Sequence, residues 1–258
     1  MIPKIIHYCW FGGNPLPTTA KKCIASWRKY FPDYEIKEWN ESNFNVNIIP
    51  YTAEAYKAKK YAFVSDFARF WIIYNYGGVY FDTDVEVLQS LEDIIEHGAF
   101  MGLQKMSGGD VCWAKYPIDN GVINPGLGIG AAPGSKFAAQ MLNFYSHKHF
   151  ISLFGAETGT VVHFTTNLLY KIGLKKHDDG TCSCEDITIY PDEYFDPMNY
   201  YTGEVVITPQ TRSFHHYTAT WVTKKTAPIQ KRIYLRLCQI FLRIKVSFKR
   251  LFDLRNGQ

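Results

Sequence analysis

Apolar and polar positions follow two different periods along this chain, and the switches between them outline its elements. The opening Ile2 to Trp10 is β-branched and aromatic and stops at Gly12-Gly13, which predicts a buried first strand followed by a ligand-facing loop. After it Ile24, Trp27 and Tyr30 recur at helical spacing, with Thr18 or Thr19 as cap and Phe31-Pro32-Asp33 as stop. A second strand, Tyr34 to Trp39, completes a βαβ opening. The stretch Tyr51 to Tyr76 is helical by content, and Gly77-Gly78 closes it before a short strand, Val79 to Phe81.

Ser107 to Pro133 is rich in Gly, Pro and Asn and reads as loops bordering a site, with short strands around Val122 and over Leu127 to Ala131. Helices are expected over Ser135 to His147 and Glu157 to Tyr170. Beyond Gly180 come short strands separated by Pro191, Pro197 and Pro209, ending in SFHHYTATW. Alternation of strands and helices predicts an α/β layered domain with a mostly parallel sheet and flanking helices.

Composition narrows the class. The 258 residues are 47% apolar and 20% charged, which sets aside disorder, collagen and coiled coil and suits one sizeable domain. The formal charge of +4 is unevenly placed: residues 224–258 hold 10 Lys/Arg and one acid, while residues 1–223 hold 18 and 23. The body is therefore −5 and the tail +9, which argues against a nucleic-acid partner and divides the chain into a catalytic domain, 1–223, and a basic appendage, 224–258. From Ile229 to Phe252 the apolar Ile229, Ile233, Leu237, Ile240, Ile244, Phe248 and Leu251 fall on one helical face, opposite Lys231, Arg232, Arg236, Arg243, Lys249 and Arg250. Such a helix suits an anionic membrane surface, which is the favoured reading, with docking on the acidic body as the alternative. The cysteines Cys9, Cys23, Cys112, Cys182, Cys184 and Cys238 show neither disulfide-framework nor zinc-ribbon spacing, and Met1 runs directly into a strand. Together these lead us to expect a cytoplasmic protein, peripheral at the inner face of the cell membrane.

Two clusters carry chemistry. In YGGVYFDTDVEV, Asp82 and Asp84 lie two apart, so in extended backbone their carboxylates project from one side and can grip a hard divalent cation, Mg²⁺ or Mn²⁺. An isolated pair of this kind is commonly a surface turn; here it follows a buried-looking strand, at the end of an α/β sheet where ligands bind. In AFVSDFARFWIIYNYGG, Ser65, Asp66 and Arg69 cluster on one side of an otherwise apolar helix. They form either a packed structural ion pair or a site in which Arg69 forks onto a diphosphate or sugar oxygen and Asp66 accepts from hydroxyl groups.

The run SDFAR followed by YGGVYFDTD resembles the Asp-x-Asp region shared by family 32 glycosyltransferases, yeast-type initiating mannosyltransferases and the glucosylating domains of large clostridial toxins. The opening IPKIIHYCWFGG resembles the same family's start, so the likeness covers roughly the first ninety residues well. It implies a GT-A type nucleotide-sugar-binding fold and a UDP- or GDP-sugar donor. By resemblance Asp84 is the main metal ligand, Asp82 contacts ribose or metal, and Asp66 and Arg69, with Ser65 beside them, hold the donor sugar and its phosphate. His7 and Trp10 lie near the base, with plain core roles as the alternative.

Late in the chain, His215-His216-Tyr217-Thr218-Ala219-Thr220-Trp221 resembles the family's closing His-His-x-x-x-Ser-Trp, with Thr220 in place of Ser. A third metal ligand is expected there. Two adjacent imidazoles in a strand point to opposite faces, and His215 is the favoured ligand. Thr220 and Trp221 are expected to fold over the diphosphate as a lid, or simply to end the domain. Asn124-Pro125-Gly126 stands where relatives carry an Asn near the donor sugar, and Glu157-Thr158-Gly159 resembles an acceptor-side segment, although Thr160 replaces the usual Pro.

The implied enzyme is a metal-dependent glycosyltransferase acting with retention on a saccharide or lipid-linked oligosaccharide acceptor, in bacterial capsule or surface polysaccharide synthesis. Two other readings compete: a sugar nucleotidyltransferase, which would want more of a Gly-rich phosphate loop than Gly12-Gly13, and a non-catalytic metal-dependent carbohydrate-binding module.

Overall fold

The computed structural model describes residues 1–105, 121–152, 155–156, 159–198 and 204–218. The chain divides into Met1–Thr218 and Ala219–Gln258, and the second unit, with the basic tail, lies outside the described residues.

The elements run β1 (Ile5–Cys9), α1 (Thr18–Tyr30), β2 (Glu35–Trp39), α2 (Pro50–Lys57), α3 (Tyr61–Tyr76), β3 (Gly78–Tyr80), β4 (Val85–Val87), α4 (Glu92–His97), β5 (Ala99–Lys105) and β6 (Gly121–Ala131). There follow α5 (Lys136–Ser146), β7 (Ile151–Ser152), β8 (Gly155–Ala156), α6 (Val161–Lys171), β9 (Lys175–Lys176), β10 (Cys182–Cys184), β11 (Ile187–Tyr190), α7 (Asp192–Phe195) and β12 (Ser213–His215). The central sheet has the order β2-β1-β3-β6-β5-β11-β10-β9. Only β6 and β10 run against the other six strands, so the sheet is mostly parallel in direction, as the alternating pattern predicts.

Alternation along the strands feeds two cores. Ile6 and Val79 face a cluster built on Ile24, Trp27, Phe31, Phe100 and Phe195, while Cys9 and Tyr80 face one built on Phe67, Phe70, Phe137, Tyr145 and Leu169. Helices α1, α4 and α7 thus cover one side of the sheet, and α2, α3, α5 and α6 the other. Among the described residues no helix is long and apolar enough to cross a membrane.

Three local expectations change. The long helical stretch is two helices, broken at Lys59 with φ 57°, so that α3 starts afresh at Tyr61. Thr18 is the first residue of α1, not its cap; Pro17 takes the cap position, with no side-chain hydrogen bond. The Gly-rich middle is the longest strand in the protein's described residues: β6 is buried over all eleven of its residues. Glycines there allow close packing, since a Cβ on Gly130 would stand 2.2 Å from the Phe100 ring. The β5–β6 pairing jumps from Met101↔Ile129 to Gly102↔Asn124, which leaves Pro125 to Gly128 bulged out of the ladder.

His7 is fully buried at the middle of β1. Trp39 Nε1, which can only donate, reaches His7 Nδ1 at 3.1 Å, so Nε2 carries the ring hydrogen and donates to the Gly77 carbonyl at 2.9 Å. Gly77 and Gly78 have φ of 63° and 94°, and a Cβ on Gly78 would stand 2.6 Å from the Ile5 carbonyl. The histidine therefore holds the turn that delivers β3 to the sheet. Both nitrogens are used inside the protein, which corrects the expectation of a base-facing His7.

Burial lowers the His7 pKa from its ordinary 6.5 to about 4. Between those values the unfolded chain binds a proton that the folded chain refuses, so this histidine's contribution to stability falls as pH drops through the window, by about 3 kcal/mol in all. Urea unfolding of the parent and of His7→Gln from pH 7 to pH 4 should show the difference between them shrink by that amount. A difference that stays constant with pH would mean His7 titrates alike in both states.

Candidate active site

The chain moves outward from β1 to β2 and returns to the other side of β1 at β3, which opens a crevice at the carboxyl ends of β1 and β3. Trp10 leaves the end of β1 and Asp82 the end of β3. Trp10 donates its indole N–H to the Asn14 carbonyl at 2.5 Å and keeps part of its ring exposed at the rim, where it can stack on a base.

Asp82 is tied down from three sides. Its N–H donates to the Gly126 carbonyl at 3.2 Å, while Oδ1 accepts from the Tyr80 hydroxyl at 3.0 Å and pairs with Arg69 Nη2 at 3.2 Å. The β6 bulge passes directly beneath the carboxylate. A Cβ built on Gly126 would stand 2.3 Å from Asp82 Oδ2, so only glycine leaves room for it there. Asn124 shapes the bulge: its Oδ1 accepts from the Gly126 N–H at 2.8 Å and its Nδ2 donates to Gln104 at 2.9 Å. Both contacts are internal, which gives Asn124 the role of holding the floor beneath Asp82.

Arg69 links α3 to this rim. It is 3% exposed, pairs with Asp66 Oδ1 at 3.0 Å as well as with Asp82, and donates from Nε to the Ser65 carbonyl at 3.2 Å. Its guanidinium carbon lies 5.1 Å from the Tyr80 ring centre. Nη1 is buried with no hydrogen-bond partner, which leaves a cationic donor for an anionic ligand oxygen. Burial pushes the Asp66 carboxyl up to about 7, against the pull of Arg69 and with a further push from Asp82. Ser65 contributes its carbonyl to Arg69, and its hydroxyl bonds back to the Tyr61 carbonyl at 3.3 Å.

The second aspartate meets a strand from the far end of the chain. Pairing of β12 with β4 sets His215 opposite Val85, next to Asp84. His215 Nε2 lies 3.0 Å from Asp84 Oδ1, and the Thr218 N–H and hydroxyl both donate to Oδ2 at 2.9 Å. His216 turns the other way, to Glu86 at 2.8 Å. Although burial opposes it, hydrogen bonds and charge from His215, with those from Thr218, hold the Asp84 carboxyl well below the usual range; Asp84 in turn raises the His215 pKa against the effect of burial.

These residues fit a hard divalent cation. Carboxylate oxygens of Asp82 and Asp84 and the His215 imidazole are suitable donors, Gly126 leaves space for Asp82, and His215 Nδ1 is a buried orphan. Direct contact joins Asp84 to His215 only; among the described residues no three such side chains stand together as a ready metal cluster. Thr220, Trp221, Glu157 and Thr158 lie outside the described residues. Sequence reasoning named the runs that contain Gly126, Thr218 and Tyr217 but gave those residues no role of their own, and it missed Asp196. The first was within reach, since Asn-Pro-Gly in a Gly-rich run marks a bulge. The others depend on which strand pairs with β4.

Residues 17–101 match the family described as "Glycosyltransferase sugar-binding region containing DXD motif". Asp66, Arg69, Asp82 and Asp84 all fall inside the match. Over 149 residues the chain is 31% identical to inositol phosphoceramide mannosyltransferase 3 of Schizosaccharomyces pombe, covering 55% of this chain and 36% of that protein. The chain thus spans about a third of the yeast relative's length. It is 26% identical over 254 residues, 95% of this chain and 90% of the other, to a protein of Acanthamoeba polyphaga mimivirus described as a glycosyltransferase. A solved glycosyltransferase involved in glycosylation of the major capsid of PBCV-1 aligns with a TM-score of 0.46 and 12% identity, over 84% of this chain and 95% of that one.

Replacing Arg69 strands two carboxylates, one of them buried. Arg69→Met should lower the unfolding free energy by about 3 to 5 kcal/mol, read from urea denaturation. Adding Asp66→Asn should recover part of the loss, because a neutral amide needs no counter-ion. A double variant as unstable as the single one would show that packing of the long side chain, and not charge, sets the cost.

Proposed function

We propose that this chain, whose residues 17–101 match the sugar-binding region of DXD glycosyltransferases, moves a sugar from a UDP- or GDP-sugar onto a hydroxyl group of a saccharide or lipid-linked oligosaccharide, using Mn²⁺ or Mg²⁺. One observation carries the reading. At the crevice where the strand order reverses, one rim carboxylate is paired with a buried arginine that has an open donor, and the other with an imidazole.

Asp82, Asp84 and His215 would hold the cation, which when bound draws electron density from the diphosphate of the donor. Arg69 Nη1 meets a phosphate or sugar oxygen, in a dry setting where a fixed positive group stabilises charge growing on the leaving oxygen. Asp66 accepts from a sugar hydroxyl and fixes the donor's orientation. Trp10 stacks on the base at the end of β1.

Anomeric configuration is retained in this reading. Asp66 and Asp82 are paired with Arg69, and Asp82 and Asp84 are assigned to the cation, so this reading gives no carboxylate the role of nucleophile. The acceptor oxygen then attacks the anomeric carbon from the face that the diphosphate leaves. As the carbon–oxygen bond to phosphate breaks, the departing phosphate oxygen takes the hydroxyl proton. A cleft of about 450 Å³ lined by Lys105, Asp192, Glu193, Asp196 and Thr208, among others, borders the arm that carries His215, and its polar groups suit a saccharide. Bacterial surface polysaccharide is the pathway we propose; the relatives reported are from a yeast and a virus, and the yeast protein's name adds inositol phosphoceramide as an acceptor to test.

Incubation with a panel of UDP- and GDP-sugars and Mn²⁺ should release nucleoside diphosphate slowly, and faster with the right acceptor. Asp84→Asn should reduce that release by ~10²- to 10³-fold. Pyrophosphate release would point instead to a nucleotidyltransferase, and glycan binding without turnover to a binding module. Gly126→Ala is a finer probe, because the added methyl meets Asp82 and the Asn124 amide oxygen rather than the sheet backbone. It should leave the melting temperature within a few degrees of the parent and cut turnover by roughly 100-fold; full activity would mean that the placement of Asp82 does not matter.

A further inference from the structure

The segment carrying His215 is fastened at a second place, away from the aspartates. Tyr217 has φ 47°, a left-handed conformation that residues other than glycine seldom adopt. That turn lets the chain double back, so that the His216 N–H reaches the Asp84 carbonyl at 2.9 Å and Thr218 reaches the Asp84 side chain. On its outer side the Tyr217 hydroxyl donates to Asp196 Oδ1 at 2.8 Å. Asp196 is 2% exposed, follows α7, and accepts the Lys105 N–H on its other oxygen at 3.3 Å. It is thus anchored to the end of β5 and has little freedom to move.

The Tyr217 ring stands edge-on to the His215 imidazole, with ring centres 4.2 Å apart. Strand β12 fixes the backbone of His215 but does not by itself set the angle of the ring. The imidazole has one hydrogen bond, to Asp84, and its Nδ1 has no partner. An imidazole held at a cation site usually has its second nitrogen bound to a carboxylate or carbonyl that sets its orientation. Here a hydrogen bond holds the ring at Nε2 only; on the Nδ1 side no such bond exists, and packing against Tyr217 has to serve.

We propose that Asp196 and Tyr217 are positioning residues for the active site: the Asp196 carboxylate pins the Tyr217 hydroxyl, and the pinned ring holds the His215 imidazole on Asp84 in the orientation in which it takes the cation. The part concerning the cation rests on the reading of His215 given above; the positioning of the ring does not.

Two variants of the full chain test this. Tyr217→Phe keeps the ring and removes only its anchor. Asp196→Asn keeps the shape but leaves one acceptor where there were two. In the absence of metal and donor, the carbon–proton NMR signals of the His215 ring, assigned with His215→Ala, should shift in Tyr217→Phe, because the ring current from residue 217 moves with the ring. Each variant should weaken Mn²⁺ binding, read from the electron paramagnetic resonance of free ion, by ~10-fold. His215→Ala with Tyr217→Phe should bind Mn²⁺ no more weakly than His215→Ala alone, since the tyrosine acts through the histidine. Unmoved His215 signals, unchanged Mn²⁺ affinity in both single variants, or losses that add in the double variant would each overturn the proposal. If the parent turns over no nucleotide sugar, the function proposed above fails while the ring signals and Mn²⁺ measurements still decide this one.

Discussion

The site depends on a guanidinium taken out of water and shared between two carboxylates. Arg69 projects from α3, Asp66 lies one turn earlier on that helix, and Asp82 lies at the end of β3, so a single side chain ties a helix to the rim of the sheet. Burying such a charge is unfavourable unless it is paired on every side, and the pairing here is incomplete. Nη1 stays bare, and the Asp66 carboxyl is pushed up to about 7 in spite of its arginine. A cluster built only for stability would close that last donor. Here it stays open in the protein interior.

The remainder of the site follows from two irregularities in otherwise regular strands. The β6 ladder slips at Met101/Gly102 and releases Pro125 to Gly128, which gives the Asp82 carboxylate a floor without a side chain in the way. Beyond β12 the chain takes a left-handed turn at Tyr217, which brings four donors from residues 215–218 onto Asp84. One aspartate is set by Arg69 and the β6 bulge and the other by a segment more than a hundred residues away. The two sides of the crevice are therefore assembled independently. The pairing of β4 with β12, supported by the bond from Trp27 Nε1 to the Val85 carbonyl at 2.8 Å, joins them.

His7 illustrates how similar residues part ways once packed. Both it and His215 stand in strands beside aromatic residues, and both are buried. His7 has both nitrogens satisfied within the protein and its charge is disfavoured; His215 has a carboxylate at 3.0 Å and a raised pKa. Burial is nearly the same for the two. Partners decide which of them is structural.

Much of the molecule was written in local pattern. The βαβ opening, the α/β layers, the Gly77-Gly78 turn and the placing of Asp82 and Asp84 at a strand end all follow from periodicity and backbone chemistry, which act over a few residues and can be read along the chain. The pairing of Arg69 with Asp66 follows as well, since helical spacing makes them neighbours. Tertiary structure alone decided that a glycine-rich, proline-containing stretch would become the longest described strand, because what stabilises β6 is the pair of strands on either side of it. It alone decided that His215 and not His216 would reach Asp84, and that Asp196 and Tyr217 would stand behind it. Those choices turn on the register of β4 against β12, and a register shift by one residue would turn every side chain to the opposite face. No short-range pattern encodes such a register; it is selected by the total burial and hydrogen bonding of two segments that meet only when the chain is folded.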